Sequence, residues 1–486
     1  MNGFETEAVE NLLFKRIKMR GSEAFSDRPF LMGLIEELFV DDFKMRNILR
    51  IAISDGNLIT NLVNLVKSNE VRQKMGIGQV AASFSEKFGI EKLVATEAIY
   101  ILGVGFGLPH RIFDGLREPS AKDCYKNGIR YLMGDGAPPD FETAAKWLTK
   151  ASEQGFALAQ NELGNMYESG IGVIKNIGKA AELYHMAAEQ GLAKAQYNLG
   201  VLYETGEGVL GDKDKAWELI HLAAEQSDAD AQVHLGIFYL EKAFYLDNGT
   251  EALMPFVKDY ETEAFGLFQK ATEQGSAEGQ VMLGMMYEKG RGCVSQDFTM
   301  ALQLYKSAAE QGHIVGQNYL ALMYYKGKGT AKDDVRAAEL FLKAAEQGDA
   351  DAQFYMGDMR RFGYGVAKNH LEAYKWYLKS AEQNNDEAMA SLGDLHDSGL
   401  GVPKDIVKAI EWYRKAALWN NARAMYKIGY YYETGEGVQR HYGLAAKWYK
   451  QAADNGHEKA AESFVRVSVL TPGLADWMNS LKGDDE

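Results

Sequence analysis

The sequence predicts an all-α protein, in which a small helical N-terminal domain precedes a right-handed α-solenoid of helix-turn-helix repeats. Three observations predict this class. A marker of the form Glu-Gln-Gly, as at Glu153–Gly155, recurs at spacings of 36 or 37 residues, with one spacing of 48. A Gly-x-Gly turn string lies between most pairs of markers. The chain also has 50 glycines but only 8 prolines, which favours helices separated by tight turns over a disordered chain.

The N-terminal part, residues 1–118, lacks this period and is predicted to form a helical domain. Apolar spacing within it predicts five helices, with breaks at Asp55-Gly56 and at Gly89. The predicted helices are Pro29–Phe39, Phe43–Ile53, Leu58–Val66, Val71–Phe88 and Glu91–Leu102.

Residues 119–456 contain nine repeats, each predicted to fold as two helices. The first helix follows the pattern Ala-x-x-Gln-x-x-Leu-Gly-x-x-Tyr, as in Ala157–Tyr167, and the second follows Lys-Ala-Ala-x-x-Tyr, as in Lys179–Tyr184. The glycine inside the first helix is expected to let the second helix approach closely, and Ala321 is its one replacement. Tryptophans of the second helices are expected to fill the core between repeats: Trp147, Trp217, Trp376, Trp412 and Trp448.

Two segments depart from the regular repeat. The fourth repeat carries 12 extra residues near 241–259, which either form a functional protrusion or lengthen a helix and add a surface loop. Residues 457–486 are predicted to form a capping helix followed by an acidic tail.

The repeat pattern resembles that of the Sel-1-like repeat family, whose members are related to tetratricopeptide repeat proteins. The resemblance implies an adaptor that assembles other proteins. Some secreted bacterial members pair cysteines within every repeat, but this chain has only Cys124 and Cys293. The resemblance therefore points to the intracellular bacterial type, which agrees with two cysteines being too few for a disulfide framework.

Charge and hydropathy limit the classes of partner. The formal net charge is −15, with 53 basic and 68 acidic residues, so nucleic acid is not expected as the main partner. The most apolar stretch, Leu93–Leu108, contains Glu97 and is too short to span a membrane. The start of the chain carries Glu5, Glu7 and Glu10, unlike a signal peptide. We therefore expect a cytoplasmic protein with no membrane span; the sequence indicates no oligomeric state.

Candidate protein-binding residues follow by analogy with tetratricopeptide solenoids, in which two first-helix positions line a concave groove. The residues directly after the conserved Gln, here called the after-Gln series, are Asn161, Tyr197, Val233, Val281, Asn318 and Phe354. The residues directly after the conserved Gly, the after-Gly series, are Asn165, Val201, Ile237, Met285, Leu322 and Asp358. The two positions are four residues apart and share a helix face. If the register differs by one residue, these side chains belong instead to the core between repeats.

The sequence offers no catalytic, metal or cofactor site. Gly103–Gly107 lacks the spacing of a dinucleotide fingerprint, and the nine histidines lack metal-ligand spacing. The predicted function is a non-catalytic protein-interaction scaffold that binds a protein or an extended peptide and needs no cofactor. The alternative is an enzyme or enzyme regulator with its activity in the N-terminal module, where His110, Asp55 and Glu97 form no recognisable set.

Overall fold

The computed structural model describes residues 31–32, 43–66, 70–88, 92–105, 119–135, 137–247 and 254–470. These residues contain helices and no strands, which confirms the predicted all-α class. The helices are α1 (Phe43–Ser54), α2 (Gly56–Val66), α3 (Glu70–Phe88), α4 (Lys92–Gly105), α5 (Ala121–Met133), α6 (Phe141–Glu153), α7 (Ala157–Ser169), α8 (Ile177–Glu189), α9 (Ala193–Thr205), α10 (Lys213–Glu225), α11 (Ala229–Leu246), α12 (Met254–Glu273), α13 (Ala277–Lys289), α14 (Phe298–Glu310), α15 (Ile314–Lys326), α16 (Asp334–Glu346), α17 (Ala350–Phe362), α18 (His370–Glu382), α19 (Asp386–Ser398), α20 (Ile406–Ala417), α21 (Ala422–Thr434), α22 (Tyr442–Asp454) and α23 (Ala460–Ser468). Within these ranges no helix combines the length and apolar character that crossing a membrane requires.

The chain divides into two compact units, Met1–Trp217 and Glu218–Glu486. In each unit, a second helix packs against the first helix of its own repeat and against the first helix of the next one, as α16 does between α15 and α17. The predicted domain limits at 118/119 and 456/457 stay predictions.

The N-terminal helices α1 to α4 agree closely with four of the five predicted segments. Leu49, Leu62, Phe84 and Ile99 are buried in one hydrophobic cluster of this module. The predicted helix Pro29–Phe39 lies outside the described residues except for positions 31 and 32. The break predicted at Asp55 separates α1 from α2.

The conserved glycine of the first helix lies against an aromatic ring of the second helix. A Cβ atom built on Gly164 would lie 2.5 Å from Cε1 of Tyr184, and one on Gly393 would lie 2.5 Å from Cε1 of Tyr413. Any side chain there would push the buried ring away. Close approach of the two helices therefore requires glycine.

The turn glycines join one repeat to the preceding one. Gly399 ends α19 with φ 70°, and Gly401 has φ 74°, both in the left-handed region that glycine adopts readily. A Cβ atom on Gly401 would lie 2.5 Å from the carbonyl carbon of His370, the first residue of α18. The Gly-x-Gly string therefore reverses the chain and packs its backbone directly on the previous repeat.

The conserved Gln of the first helix makes hydrogen bonds in two directions. Gln353 is buried; its Oε1 accepts a hydrogen bond from Nε2 of Gln383 at 2.9 Å, and its Nε2 donates to the carbonyl of Ala345 in the preceding repeat at 3.1 Å. Gln160 accepts from Gln190 at 2.7 Å in the same manner. This clasp satisfies a buried amide and holds consecutive helices in register.

The extra residues of the fourth repeat lengthen both of its helices. The helices α11 and α12 contain 18 and 20 residues, whereas most other repeat helices contain 13. Tyr239 and Tyr260 stack across them with ring centroids 5.9 Å apart. Residues 248–253, between the helices, lie outside the described residues.

The tryptophans of the second helices lie at the edge of the core and do not fill it as predicted. Trp147, Trp376, Trp412 and Trp448 are half-buried, and Trp217 is 37% exposed. Lysines on the same helices cover some of the outer ring faces, as with Lys379 Nζ, which lies 4.3 Å from the centroid of the Trp376 ring. The smaller rings opposite glycine, such as Tyr377 and Tyr413, occupy the interior because indole does not fit there.

Candidate functional site

The after-Gln series lies mostly in the interior. Asn161, Val233, Val281 and Asn318 are between 1% and 6% exposed, and Tyr197 and Phe354 are half-buried. This burial matches the packing alternative that the sequence left open. As binding residues they stay a prediction.

The after-Gly series reaches the surface more evenly. Its members are all half-buried, with part of each side chain accessible: Asn165, Val201, Ile237, Met285, Leu322 and Asp358. In the second unit, Met285 and Leu322 pack one side against the buried clusters below them. The opposite side of each of these two side chains faces outward from its helix, which is α13 for Met285 and α15 for Leu322.

A third set, two residues after the conserved Gln, was missed from the sequence. It includes Met282 on α13, Tyr319 on α15 and Tyr355 on α17, all half-buried. On α17 the exposed side is formed by Asp351, Tyr355, Asp358 and Phe362, spaced four, three and four residues apart, which places them in one stripe. A helical wheel centred opposite the buried Ala, Gln, Leu and Gly positions would have found this stripe.

In the first unit, the two predicted asparagines Asn161 and Asn165 both accept hydrogen bonds from a third asparagine, Asn198. Asn198 Nδ2 donates to Asn161 Oδ1 at 3.0 Å and to Asn165 Oδ1 at 3.2 Å. Asn165 Oδ1 also accepts from the hydroxyl of Tyr184 at 2.8 Å, and its Nδ2 donates to Glu162 at 3.3 Å. The amides of these candidate binding residues therefore take part in an internal network.

In the second unit, buried tyrosines of the second helices donate to carboxylates of the first helices. The hydroxyl of Tyr377 donates to Asp358 Oδ1 at 2.5 Å, and that of Tyr413 donates to Asp394 Oδ1 at 2.8 Å. Burial raises the pKa of Tyr377, and the charge of Asp358 raises it further. Burial also raises the pKa of the Asp358 carboxyl above its usual value, against the effects of Tyr377 and Arg361. These carboxylates are held in place by neutral phenol groups.

A charged cluster connects three consecutive repeats of the second unit. Arg423 Nη1 and Arg361 Nη1 both contact Asp394 Oδ2, at 2.6 Å and 3.3 Å. Arg423 Nη2 also donates to Glu387 Oε2 at 3.0 Å and to Ser391 Oγ at 3.3 Å. Both guanidinium groups thus bind side chains of α19.

The N-terminal module has a shallow cleft of about 440 Å³ lined by Arg50, Ile51, Ser54, Asp55, Lys87 and Phe88. Lys87 Nζ contacts Asp55 Oδ2 at 2.8 Å. His110 and the side chain of Glu97 lie outside the described part of the structure. The residues that line the cleft include one ion pair. They do not place a nucleophile beside a general base.

The described part of the chain contains no group of three or more His, Cys, Asp or Glu side chains that could hold a metal ion. Neither Cys124 nor Cys293 forms a disulfide bond; Cys124 is buried and Cys293 is exposed.

Comparison with known proteins identifies the repeat. The family model described as Sel1 repeat matches nine segments: 121–156, 157–192, 193–228, 229–276, 277–313, 314–349, 350–385, 386–418 and 422–457. These limits follow the markers predicted from the sequence within a few residues. No curated protein matches the chain significantly.

Several solved structures are similar. A protective antigen present in uropathogenic Escherichia coli strains, which displays an SLR fold, is 32% identical, with 72% of this chain and 79% of that chain covered and a TM-score of 0.46. A Sel1 repeat protein from Oxalobacter formigenes is 27% identical, with 70% and 94% covered and a TM-score of 0.44. The human IFIT1 dimer with PPP-AAAA is 15% identical, with 88% and 94% covered and a TM-score of 0.35, a likeness that bears on no ligand.

Proposed function

The chain belongs to the Sel1 repeat family, whose members are generally protein-interaction scaffolds, and from this premise we propose that it binds a partner protein or extended peptide without catalysing a reaction. The net charge of −15 supports a protein partner over nucleic acid. The two cysteines, neither of which forms a disulfide bond, support a reducing, cytoplasmic location.

We place the binding surface on the outward side of α13, α15 and α17. The observation that carries this proposal is the set of partly exposed apolar side chains beside a complete interior. Met282, Met285 and Leu322 keep part of their surface accessible, although the interior positions next to them are filled by the buried side chains of Leu283, Met286, Leu320 and Met323. These apolar side chains are partly exposed although the interior is already filled without them. Apolar side chains of this kind are typical of partner-binding surfaces.

A charge introduced on this side tests the proposal. Partners captured from an extract of the source cells would be identified, purified and titrated against the full chain. Leu322→Glu is expected to weaken binding about tenfold or more, since a buried unpaired carboxylate opposes association. Val335→Glu, on α16 and 55% exposed, is the matched control and is expected to leave the affinity unchanged.

Circular dichroism melting of both variants verifies that each is folded. If Leu322→Glu binds the partner with the affinity of the wild type, while Val335→Glu binds it more weakly, the binding surface lies elsewhere. Turnover of a substrate by the purified chain would contradict the non-catalytic part of the proposal.

A further inference from the structure

Two tyrosines in adjacent repeats of the second unit present one ring face outward. The Tyr319 ring stacks on that of Tyr305 with centroids 5.1 Å apart and an interplanar angle of 18°. The Tyr355 ring stacks on that of Phe341 at 4.9 Å and 15°. Tyr305 and Phe341 are fully buried, so each outer ring is held from below. The free ring faces are therefore rigid. A ligand that covers them causes little loss of side-chain conformational entropy.

Carboxylates surround these rings. Beyond burial, the pKa of Tyr355 is raised by the charges of Asp351, Asp358 and Glu387. The pKa of Tyr319 is raised by burial and then by the carboxylates of Glu288, Asp351 and Asp349. Both phenols therefore lie in a negative local potential.

The carboxylates of α17 accept hydrogen bonds from neutral donors. Asp351 Oδ1 accepts from the Asn385 amide at 2.9 Å, and Asp358 Oδ1 accepts from the Tyr377 hydroxyl at 2.5 Å. A neutral donor satisfies an oxygen without cancelling its charge. The nearby Arg423 is engaged with Asp394 and Glu387 on α19, at 2.6 Å and 3.0 Å. Arg361 and Arg423 also act on the charge of Asp358, so the negative charge on the exposed side of the α17 stripe lies mainly at Asp351, for which no ion pair is found among the described residues.

The chain already places cations over neighbouring rings. Lys332 Nζ lies 5.4 Å from the centroid of the Tyr325 ring and 5.6 Å from that of Tyr364. The Tyr325 ring is itself 6.2 Å from Tyr355. Tyrosine faces in this region therefore accept ammonium groups within the protein, as cation–π attraction favours.

One acceptor beside the rings has no partner among the described residues. Asn318 is 6% exposed; its Nδ2 donates to Asp349 Oδ1 at 3.1 Å, while its Oδ1 is buried and makes no hydrogen bond. An unfilled buried carbonyl next to Tyr319 favours a ligand that brings N–H donors.

We propose that four residues, Tyr319, Asp351, Tyr355 and Asp358, here called the acidic tyrosine patch, bind an extended peptide segment that carries arginine or lysine side chains. The inference rests on the proposed scaffold function and specifies the chemistry of the partner. Tyr319 and Tyr355 lie on the first helices of adjacent repeats, and α16 packs between these helices. An extended peptide advances about 3.3 Å per residue, so a cationic side chain at every third residue recurs about every 10 Å along the peptide.

The test uses the full chain and fluorescence anisotropy of a labelled peptide with arginine at every third residue. The same peptide with neutral citrulline in place of arginine is the ligand control. We expect the arginine peptide to bind at least about tenfold more tightly at low salt and to lose affinity as salt rises. Equal affinity for the two peptides, or no binding of the arginine peptide, would overturn the inference.

Variants separate the patch from the general negative charge of the chain. Tyr355→Leu removes the aromatic face but not the apolar bulk, and it is expected to weaken binding about two- to fivefold, whereas Tyr355→Phe keeps the wild-type affinity. Asp351→Asn is expected to weaken binding by a similar factor, about two- to fivefold. Glu346→Gln, an exposed carboxylate on α16, removes the same charge outside the patch and is expected to change nothing.

If Glu346→Gln weakens binding as much as Asp351→Asn, the peptide responds to net charge alone and the patch is wrong. The purified natural partner distinguishes this inference from the scaffold proposal. A partner whose binding is lost in Leu322→Glu but is unchanged in Tyr355→Leu and Asp351→Asn would leave the scaffold proposal standing and overturn the patch.

Discussion

In residues 157–205 the after-Gly positions hold the uncharged residues Asn165 and Val201, whereas in residues 350–398 the same positions hold the carboxylates Asp358 and Asp394. Asn165 and Asn198 share hydrogen bonds in the first region. In the second region, Asp358 and Asp394 each accept from a buried tyrosine hydroxyl, and Asp394 is also contacted by Arg361. The sequence period is the same in both regions. The chemistry presented to a partner is different.

The interior of the two regions is nearly identical. In each, a helical glycine faces a tyrosine ring, as Gly164 faces Tyr184 and Gly357 faces Tyr377. The difference teaches that interior positions set the repeat geometry, while outward positions vary without changing it. Recognition can therefore change from repeat to repeat on a constant framework.

The largest expected effect is on the shared interior. Gly357→Val is expected to lower the free energy of unfolding by about 2–3 kcal/mol, because the new side chain overlaps the buried Tyr377 ring. Gly164→Val is expected to cost a similar amount against Tyr184. Urea unfolding followed by circular dichroism measures both.

The control is another helical glycine with open space around it. Apart from its chain neighbours and the backbone of its own helix, no atom lies within 4 Å of a Cβ built on Gly266. Gly266→Ala is therefore expected to raise the free energy of unfolding by about 0.5–1 kcal/mol. A wild-type unfolding midpoint for Gly357→Val would show that the two helices do not need their close approach.

A phenol deletion separates the two regions. Tyr377→Phe is expected to lower the free energy of unfolding by about 2 kcal/mol, since it removes the hydrogen bond to a buried charged Asp358. The Tyr184 hydroxyl donates to Glu168 Oε2 at 2.6 Å as well as to Asn165. Tyr184→Phe is nevertheless expected to cost only about 1 kcal/mol, since Asn165 still accepts a hydrogen bond from Asn198 and Glu168, close to the end of α7, is partly accessible to water. Chemical denaturation of the two variants gives the comparison directly.

The chain supplies an apolar version of the same pair. Phe341 occupies the tyrosine position of its repeat, and Leu322 occupies the aspartate position. The double variant Tyr377→Phe with Asp358→Leu reproduces this pair and is expected to recover most of the lost stability, because neither partner is left unsatisfied. If the double variant is less stable than Tyr377→Phe alone, the hydrogen bond is not the source of the loss.

A smaller effect is expected at the Gln clasp. Gln353→Met is expected to cost about 1 kcal/mol, since it removes the bonds to Gln383 and to the Ala345 carbonyl but keeps the volume. Met389 fills the equivalent position of the next repeat, which shows that methionine fits there. Thermal melts of Gln353→Met and of Gln383→Ala, whose native side chain is exposed, measure the loss of stability in each variant. Equal losses in the two variants would contradict the view that the buried amide of Gln353 contributes more than its exposed partner.

Sequence reasoning predicted the fold well because its signals are interior and periodic. The glycine, glutamine and turn positions recur because each makes a close interior contact that few other residues can make, as at Gly401 against His370. The candidate site was harder to predict. Analogy placed the after-Gln series in the groove, yet Val233 and Val281 are buried. Tyr355 was missed because the analogy supplied only two positions in each first helix, although the helical period places Tyr355 in one stripe with Asp351 and Asp358.

The smallest expected effect concerns the charge that distinguishes the second region. The pKa of the Asp358 carboxyl is raised above its usual value because burial disfavours the ionised form. A carboxyl with a raised folded pKa stabilises the protein fully below its unfolded pKa of about 3.9, and this contribution is lost as the pH rises through the folded value. Asp358→Asn does not titrate and still accepts from Tyr377. Relative to wild type, it is therefore expected to gain free energy of unfolding as the pH rises from about 3 to about 7.

Asp405→Asn is the matched control with the opposite sign. The backbone N–H of Lys408 lowers the pKa of Asp405, so wild type gains stability from this carboxylate as the pH rises and the asparagine variant falls behind. Urea unfolding at a series of pH values measures both variants. A loss of relative stability in Asp358→Asn at neutral pH would mean that the carboxylate serves the fold. The expected gain would mean that its charge opposes folding, as is usual for a residue whose chemistry serves binding.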